Sequence, residues 1–371
     1  MTVAGVIDLS RGKGDPGILL DVADLAVTFP TDDGIVQAVR GVSYQLHKGE
    51  ALGIVGESGS GKSVSSLAVL GLLPRTAQIS GSVRLYGEEL LGRSEGQYSE
   101  IRGNKISMIF QDPLTSLNPV YSVGYQISEA VSAHNDVSKK EAMNRAIELL
   151  RIVGIPFPDQ RVHNYPHEMS GGMRQRVVIA IAMANNPDVI FADEPTTALD
   201  VTVQAQVLEA LEAARAETGA ALVLITHDLG VIAGHADRIC VMYAGKLVEK
   251  GTVEDVFYTP RMPYTLGLLG SLPRMDQGMR QRLTPIVGAP PSMLNLPPGC
   301  PFTPRCPLAE TICEALEPDL LHTDHIGHSA ACHFHSRLIG VDRTKLFVAT
   351  SMDTEDSTAA DLPGLGLEVQ Q

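Results

Sequence analysis

Eight consecutive residues, Gly56-Glu57-Ser58-Gly59-Ser60-Gly61-Lys62-Ser63, constrain this chain more than any other feature. They match G-x-x-x-x-G-K-S/T at every fixed position. The short apolar run ALGIVG leads into them and reads as a buried strand, and SVSSLAVLGLL leads out and reads as a helix. A strand entering a glycine-rich turn and leaving as a helix aims successive backbone N–H groups inward, as a nest of phosphate donors. The helix adds its positive N-terminal end. Lys62 can then reach the β- and γ-phosphates of a nucleotide, and the Ser63 hydroxyl can serve Mg2+. The motif implies ATP or a related triphosphate without naming the machine that uses it.

The rest of the pattern alternates strands with helices. ILLDVADLAVTF from Ile18 and VQAVRGVSYQL read as strands, and DVIFADE and ALVLITHD as further buried ones. VSKKEAMNRAIELLRIVG and VTVQAQVLEALEAARAETG carry helical apolar spacing and end at Gly154 and Gly219. RICVMYAGKLVEKG reads as a hairpin turning at Ala244–Gly245. The alternation predicts an α/β fold with a largely parallel sheet. A net charge of −14 argues against general binding to a phosphate backbone, so no nucleic acid is expected as partner. No run of 18 apolar residues is present, and the N-terminus lacks a signal-peptide pattern, so the chain is expected to stay in the cytosol.

Further stations surround the loop. The strand Val189-Ile190-Phe191-Ala192 delivers Asp193-Glu194, suited to hold Mg2+ and to polarise an attacking water respectively. Upstream lies Met169-Ser170-Gly171-Gly172-Met173, opening a helix rich in Gln and Arg. This resembles the LSGGQ signature of ABC ATPases, with Met replacing Leu and Gln. Gln111, ending KISMIF, is similar to the family's Q-loop glutamine. Ala198-Leu199-Asp200 is similar to its D-loop, and His227 to its switch histidine. Phe29 is a candidate to stack on adenine, or else a core residue at a strand end. The stations follow the family's order over roughly residues 20–260.

The resemblance implies an ABC-type P-loop ATPase with a RecA-like core sheet, an antiparallel β subdomain and an α-helical subdomain. It implies catalytic roles for Glu194, His227 and Gln111, and Mg2+ held by Ser63, Gln111 and Asp193. It also implies a dimer in which Ser170, Gly171 and Gly172 close on the partner's ATP.

The segment Ile109–Pro119 (IFQDPLTSLNP), with Pro263-Tyr264-Thr265 and a later Leu-Pro pair, is similar to the dipeptide/oligopeptide/nickel importers. In that branch the region forms a groove for a permease helix, which Leu114, Leu117 and Val120 could line if they are not simply packed. Cys300, Cys306, Cys313 and Cys332 cluster late in the chain with spacing C-x5-C-x6-C-x18-C. In a reducing compartment this points to metal rather than disulfides. The segment resembles the oligopeptide-type C-terminal domain, which implies a 4Fe–4S cluster. Zinc and free thiols stay open, with His333 a substitute ligand.

The expected division is a flexible N-terminus (1–17), the ATPase domain (18–275, helical subdomain about 112–180), a small four-cysteine domain (276–336) and an acidic loose tail (337–371). The implied partners are two transmembrane permeases, a second and non-identical ATPase subunit, and an extracytoplasmic binding protein, placing the chain on the cytoplasmic face of the plasma membrane. Nickel or another small solute is the alternative cargo, and a soluble, non-transport ABC ATPase the alternative class.

Overall fold

The computed structural model describes residues 17–197, 199–272, 286–341 and 346–347. Residues 1–16, most of the expected tail and the expected boundary near 276 lie outside the described residues.

The strands in chain order are β1 (Ile18–Thr31), β2 (Gly34–His47), β3 (Ala51–Val55), β4 (Gln78–Leu85), β5 (Glu88–Glu89) and β6 (Ile106–Ile109). They continue with β7 (Val189–Asp193), β8 (Ala221–Thr226), β9 (Arg238–Tyr243), β10 (Lys246–Thr252), β11 (Leu321–His322) and β12 (Ser329–Ala330). Two sheets result: an antiparallel one ordered β2-β1-β4-β5, and a larger one ordered β11-β12-β10-β9-β3-β8-β7-β6.

From β6 to β9 every pairing in the large sheet is parallel. These strands are buried along nearly their whole length, as strands covered on both faces must be. Alternation sorts their side chains. Ala51, Val55, Ile190, Ala192, Leu222 and Leu224 join the core beneath the helices. Leu52, Ile54, Phe191, Val223 and Ile225 join the core beneath the antiparallel sheet.

Local chemistry sets the helix ends. Ser138 caps Lys139–Ile152 through a reciprocal box with Glu141, and Gly154, at φ 71°, terminates it. Asp200 accepts from Val203 N at the start of Val201–Thr218, and Gly219 closes that helix in the left-handed conformation. The β9–β10 hairpin turns at Ala244–Gly245, both at positive φ, as a two-residue primed turn demands. The helices Val123–Ser132, Lys139–Ile152 and Gly171–Ala182 pack together where a helical subdomain is expected.

The described part of the four-cysteine segment packs onto the ATPase sheet. Strand β12 extends the large sheet by pairing with β10, and Ala331 N donates to Val248 O at 2.8 Å. Glu249 and His328, both fully buried, lie 2.8 Å apart between these strands. Phe302 is buried against Tyr243 and Tyr264, and joins the main core with Ala331 and Leu338. With few apolar residues of its own, the segment completes its packing on the ATPase sheet.

Candidate active site

The phosphate-loop motif sits where β3 ends and the helix Lys62–Val69 begins. Gly56 and Gly61 are required by space as well as by φ. A Cβ on Gly56 would lie 2.2 Å from Met242 O. One on Gly61, at φ 100°, would lie 2.4 Å from Ala38 O. The Lys62 ammonium is held at 2.7 Å by Gly56 O and 3.0 Å by Glu57 O. Burial pushes its pKa down, against the charges of Glu194, Asp193 and Glu57.

Beside it, Ser63 Oγ donates to Asp193 Oδ1 at 3.0 Å, joining the loop to the end of β7. Burial raises the Asp193 carboxyl, with Ser63 and Lys62 opposing.

Glu194 follows at φ 47°, a conformation rare outside glycine, with its N–H donating to Ile225 O at 2.8 Å. Three side chains converge on its carboxylate. Thr197 Oγ1 donates to Oε2 at 2.8 Å, Gln111 Nε2 to Oε2 at 3.2 Å, and His227 Nδ1 lies 3.2 Å from Oε1. Burial acts to raise this carboxyl, but the hydrogen bonds of Thr197 and His227 and the charges of His227 and Lys62 outweigh it and hold it below the usual range. One cluster therefore gathers Lys62, Ser63, Gln111, Asp193, Glu194 and His227 from four separate stretches of chain.

Other expected residues lie elsewhere. Ser170 caps the helix Gly171–Ala182, accepting from Met173 N at 3.3 Å, and Ser170 and Gly171 are exposed. Among the described residues no hydrogen bond ties them to Gly56–Ser63. Gly172 is buried against Val203. Asp200 is occupied as a helix cap, and Ala198 lies outside the described residues. Phe29 is half-buried against the antiparallel-sheet core. In the expected groove, Leu114 and Val120 are 63% and 70% exposed, but Leu117 is 3% exposed and belongs to the core.

Cys300, Cys306, Cys313 and Cys332 all line one pocket with His333, Phe302 and Met262. Convergence stops there. Among the described residues no group of three or more His, Cys, Asp or Glu side chains is placed to hold a metal ion, so the iron–sulfur expectation is not reproduced as a ligand set. Burial in this apolar pocket pushes the Cys306 thiol up to about 12 and Cys332 to about 11, and raises Cys300.

Three site residues escaped the sequence reading. Thr197 orients Glu194. Tyr264 Oη accepts from Glu57 N at 2.8 Å. Arg305 meets the Glu57 carboxylate. Only Thr197 carried a local signal, three residues beyond Glu194.

Comparisons with known proteins bear on this arrangement. Residues 39–197 match the ABC transporter family, and residues 248–313 the family described as oligopeptide/dipeptide transporter, C-terminal region. The dipeptide transport ATP-binding protein DppD of Bacillus subtilis is 52% identical over 302 residues, 81% of this chain and 90% of that protein. The chain belongs to the ATP-binding protein family of oligopeptide and dipeptide ABC transporters.

Within that family, the oligopeptide transport ATP-binding protein OppD of Mycobacterium tuberculosis is 58% identical over 317 residues, 85% of this chain. The chain spans about half of that relative's length, 51%. Among solved structures, a dimeric bacterial ABC transporter cassette, MJ0796, is 27% identical with a TM-score of 0.57, covering 63% of this chain and 99% of its own. The α/β ABC ATPase fold expected from the sequence is thereby established. The C-terminal family match begins inside β10, in keeping with a segment built onto the sheet. Among the described residues no helix is long and apolar enough to cross a membrane.

Proposed function

We propose that this chain hydrolyses ATP to power import of di- or oligopeptides through a membrane permease. The observation that carries the reading is the cluster at the end of β7. Asp193 is bonded to Ser63 of the phosphate loop, and Glu194 is held as an anion by Thr197, Gln111 and His227. In this reading the loop residues Gly56, Glu57, Ser58, Gly59, Ser60 and Gly61 cradle the phosphates with Lys62, and Phe29 stacks on adenine. Ser63, Asp193 and Gln111 serve Mg2+, which neutralises phosphate charge. Glu194 accepts the proton of the attacking water or orients it, and His227 positions Glu194.

The exposed N-terminus at Ser170 and Gly171, with Gly172 behind it, faces the nucleotide of a second ATPase subunit, with Asp200 near that interface. The relative MJ0796 is described as a dimer, and the present helix N-terminus is free to act across such an interface. Permease partners are supported by the exposed Leu114 and Val120 and by the names of the transport relatives. Two permease chains, a non-identical second ATPase and an extracytoplasmic binding protein complete the complex, which places this chain on the cytoplasmic membrane face. The lining of one pocket by four cysteines is what supports a structural 4Fe–4S cluster on Cys300, Cys306, Cys313 and Cys332, although their side chains are not arranged as a ligand set here.

Glu194→Gln tests the assignment. ATP binding should persist while turnover falls about 10²–10⁴-fold, the usual contribution of a positioned base. Turnover at the parental rate would refute the role given to Glu194.

A further inference from the structure

Glu57 brings a carboxylate into the loop expected to hold a polyanion. Left alone it would repel that ligand and offset Lys62. It is not left alone. Arg305 Nη1 donates to Glu57 Oε2 at 2.6 Å and Nη2 to Oε1 at 2.9 Å, a two-point contact across 248 residues of sequence. The Arg305 side chain is 4% exposed. Its Nε donates to Val287 O and its Nη1 to Tyr243 Oη, each at 3.3 Å, and the guanidinium lies 5.9 Å from the ring centres of both Tyr243 and Phe302. A guanidinium fixed on every side is a rigid counter-charge, and a planar fork matches a carboxylate as no ammonium can. Glu57 is also held through its backbone, by Tyr264 Oη.

Arg305 stands between Cys300 and Cys306, in the short turn Thr303–Arg305. That turn is bound to the thiol pocket: Cys300 N donates to Cys313 O at 2.7 Å and Thr303 Oγ1 to the same oxygen at 3.0 Å. Among the described residues, the cysteine segment and the phosphate loop are therefore joined through this ion pair, buried on its Arg305 side.

We propose that Arg305 is a positioning residue for the nucleotide, acting through Glu57. It neutralises the carboxylate beside the phosphate cradle and fixes the first turn of the loop, making ATP affinity depend on the four-cysteine segment. The inference rests on reading Gly56–Ser63 as that cradle.

The test compares the full chain with Arg305→Met and with Arg305→Met/Glu57→Gln, by steady-state ATP hydrolysis and by equilibrium binding of a fluorescent ATP analogue. Arg305→Met should raise KM for ATP and Kd for the analogue about tenfold, with kcat within about threefold of the parent. Adding Glu57→Gln should lower both constants again relative to Arg305→Met, because the unpaired carboxylate is gone. Loss of affinity through misfolding would not be reversed by a change at Glu57. Parental constants in Arg305→Met, or a double variant no better than the single, would overturn the proposal. If Arg305→Met does not fold, Arg305→Lys keeps the charge and loses the fork. It should raise KM about threefold at an unchanged melting temperature, and a parental KM would overturn the proposal equally. A parent chain that fails to bind the analogue would instead overturn the cradle reading beneath it.

Discussion

Gly171 and Gly172 are adjacent, identical in type, and held in the same first turn of one helix, yet the structure separates what an added methyl does to each. A Cβ on Gly172 would lie 2.3 Å from Val203 Cγ1, a separation real Cβ atoms essentially never show. Val203 has little freedom to yield. It is β-branched, it packs against the main core, and its N–H is pinned to Asp200 Oδ1 at 3.0 Å. The helices Gly171–Ala182 and Val201–Thr218 must part, at the overpacking cost of about 1–3 kcal/mol. A Cβ on Gly171 would meet only Leu199 Cδ2 at 3.6 Å, an ordinary contact. The helix-propensity gain of Gly→Ala is common to both and cancels in the comparison. Gly172→Ala should therefore be less stable than Gly171→Ala by about 1–3 kcal/mol, a separation of about 2–4 °C in Tm per kcal/mol for a domain of this class. Scanning calorimetry of the two variants side by side reads it directly. Val203→Ala added to Gly172→Ala should recover part of the loss. Equal melting temperatures, or Gly171→Ala the less stable, would refute the packing argument. Gly171→Ala carries the complementary functional expectation: with stability intact, its exposed position at the helix N-terminus should lower ATPase activity of the assembled dimer.

Two further outcomes test the C-terminal segment. Phe302→Ala should cost about 3–5 kcal/mol, because Phe302 is fully buried against Tyr243 and Tyr264. The whole chain should still melt in one transition, and a separate early transition would show that the segment folds by itself. Protein purified without oxygen should carry iron and acid-labile sulfide with charge-transfer absorbance, and Cys306→Ser should lose most of both. Zinc in place of iron, or no metal in the parent, would refute the cluster assignment.

The phosphate loop was legible because its chemistry is contiguous: β3, the turn and the helix follow one another within about twenty residues, and Gly56 and Gly61 are each explained by a carbonyl they must approach. The carboxylates Asp193 and Glu194 were legible for the same reason, as an apolar run with a polar end. Gln111 lies 83 residues from Glu194, and no local pattern predicts that they meet; they were found through motif order alone. Arg305 and Glu57 had neither contiguity nor order to reveal them. The joining of the cysteine segment to the sheet had no such signal either. The pairing that fuses it to the sheet is Glu249 with Ala330 and Lys250 with Ser329, a ladder too short to leave a periodicity. Its apolar partners, Tyr243 and Tyr264, sit on the far side of a Pro-rich stretch. Leu117 shows the same limit on a smaller scale: its neighbours Leu114 and Val120 are equally apolar, and only the three-dimensional path of the turn decides which of them is buried.

Asp193 and Glu194 are adjacent carboxylates pushed in opposite directions, and this divergence argues for distinct roles. Asp193 is raised by burial, with only Ser63 and Lys62 in opposition. Glu194 is lowered because the hydrogen bonds of Thr197 and His227 outweigh its burial. The consequences for stability have opposite signs. Glu194, depressed when folded, stabilises the native state above its unfolded pKa of about 4.3, and that contribution is lost only as pH falls through the lower folded value. Asp193, raised when folded, binds its proton more tightly in the native state, so its charge costs stability as pH rises through the folded value. Asp193→Asn should accordingly melt higher than the parent at pH 7.5 without nucleotide, and the gain should shrink as pH is lowered toward the Asp193 folded pKa. The same variant should lose Mg2+-dependent hydrolysis, because a buried carboxylate that is costly alone is what a divalent cation would relieve. A lower Tm at pH 7.5, or a gain independent of pH, would show that the Ser63 contact outweighs the burial and that Asp193 is held for structure rather than for metal.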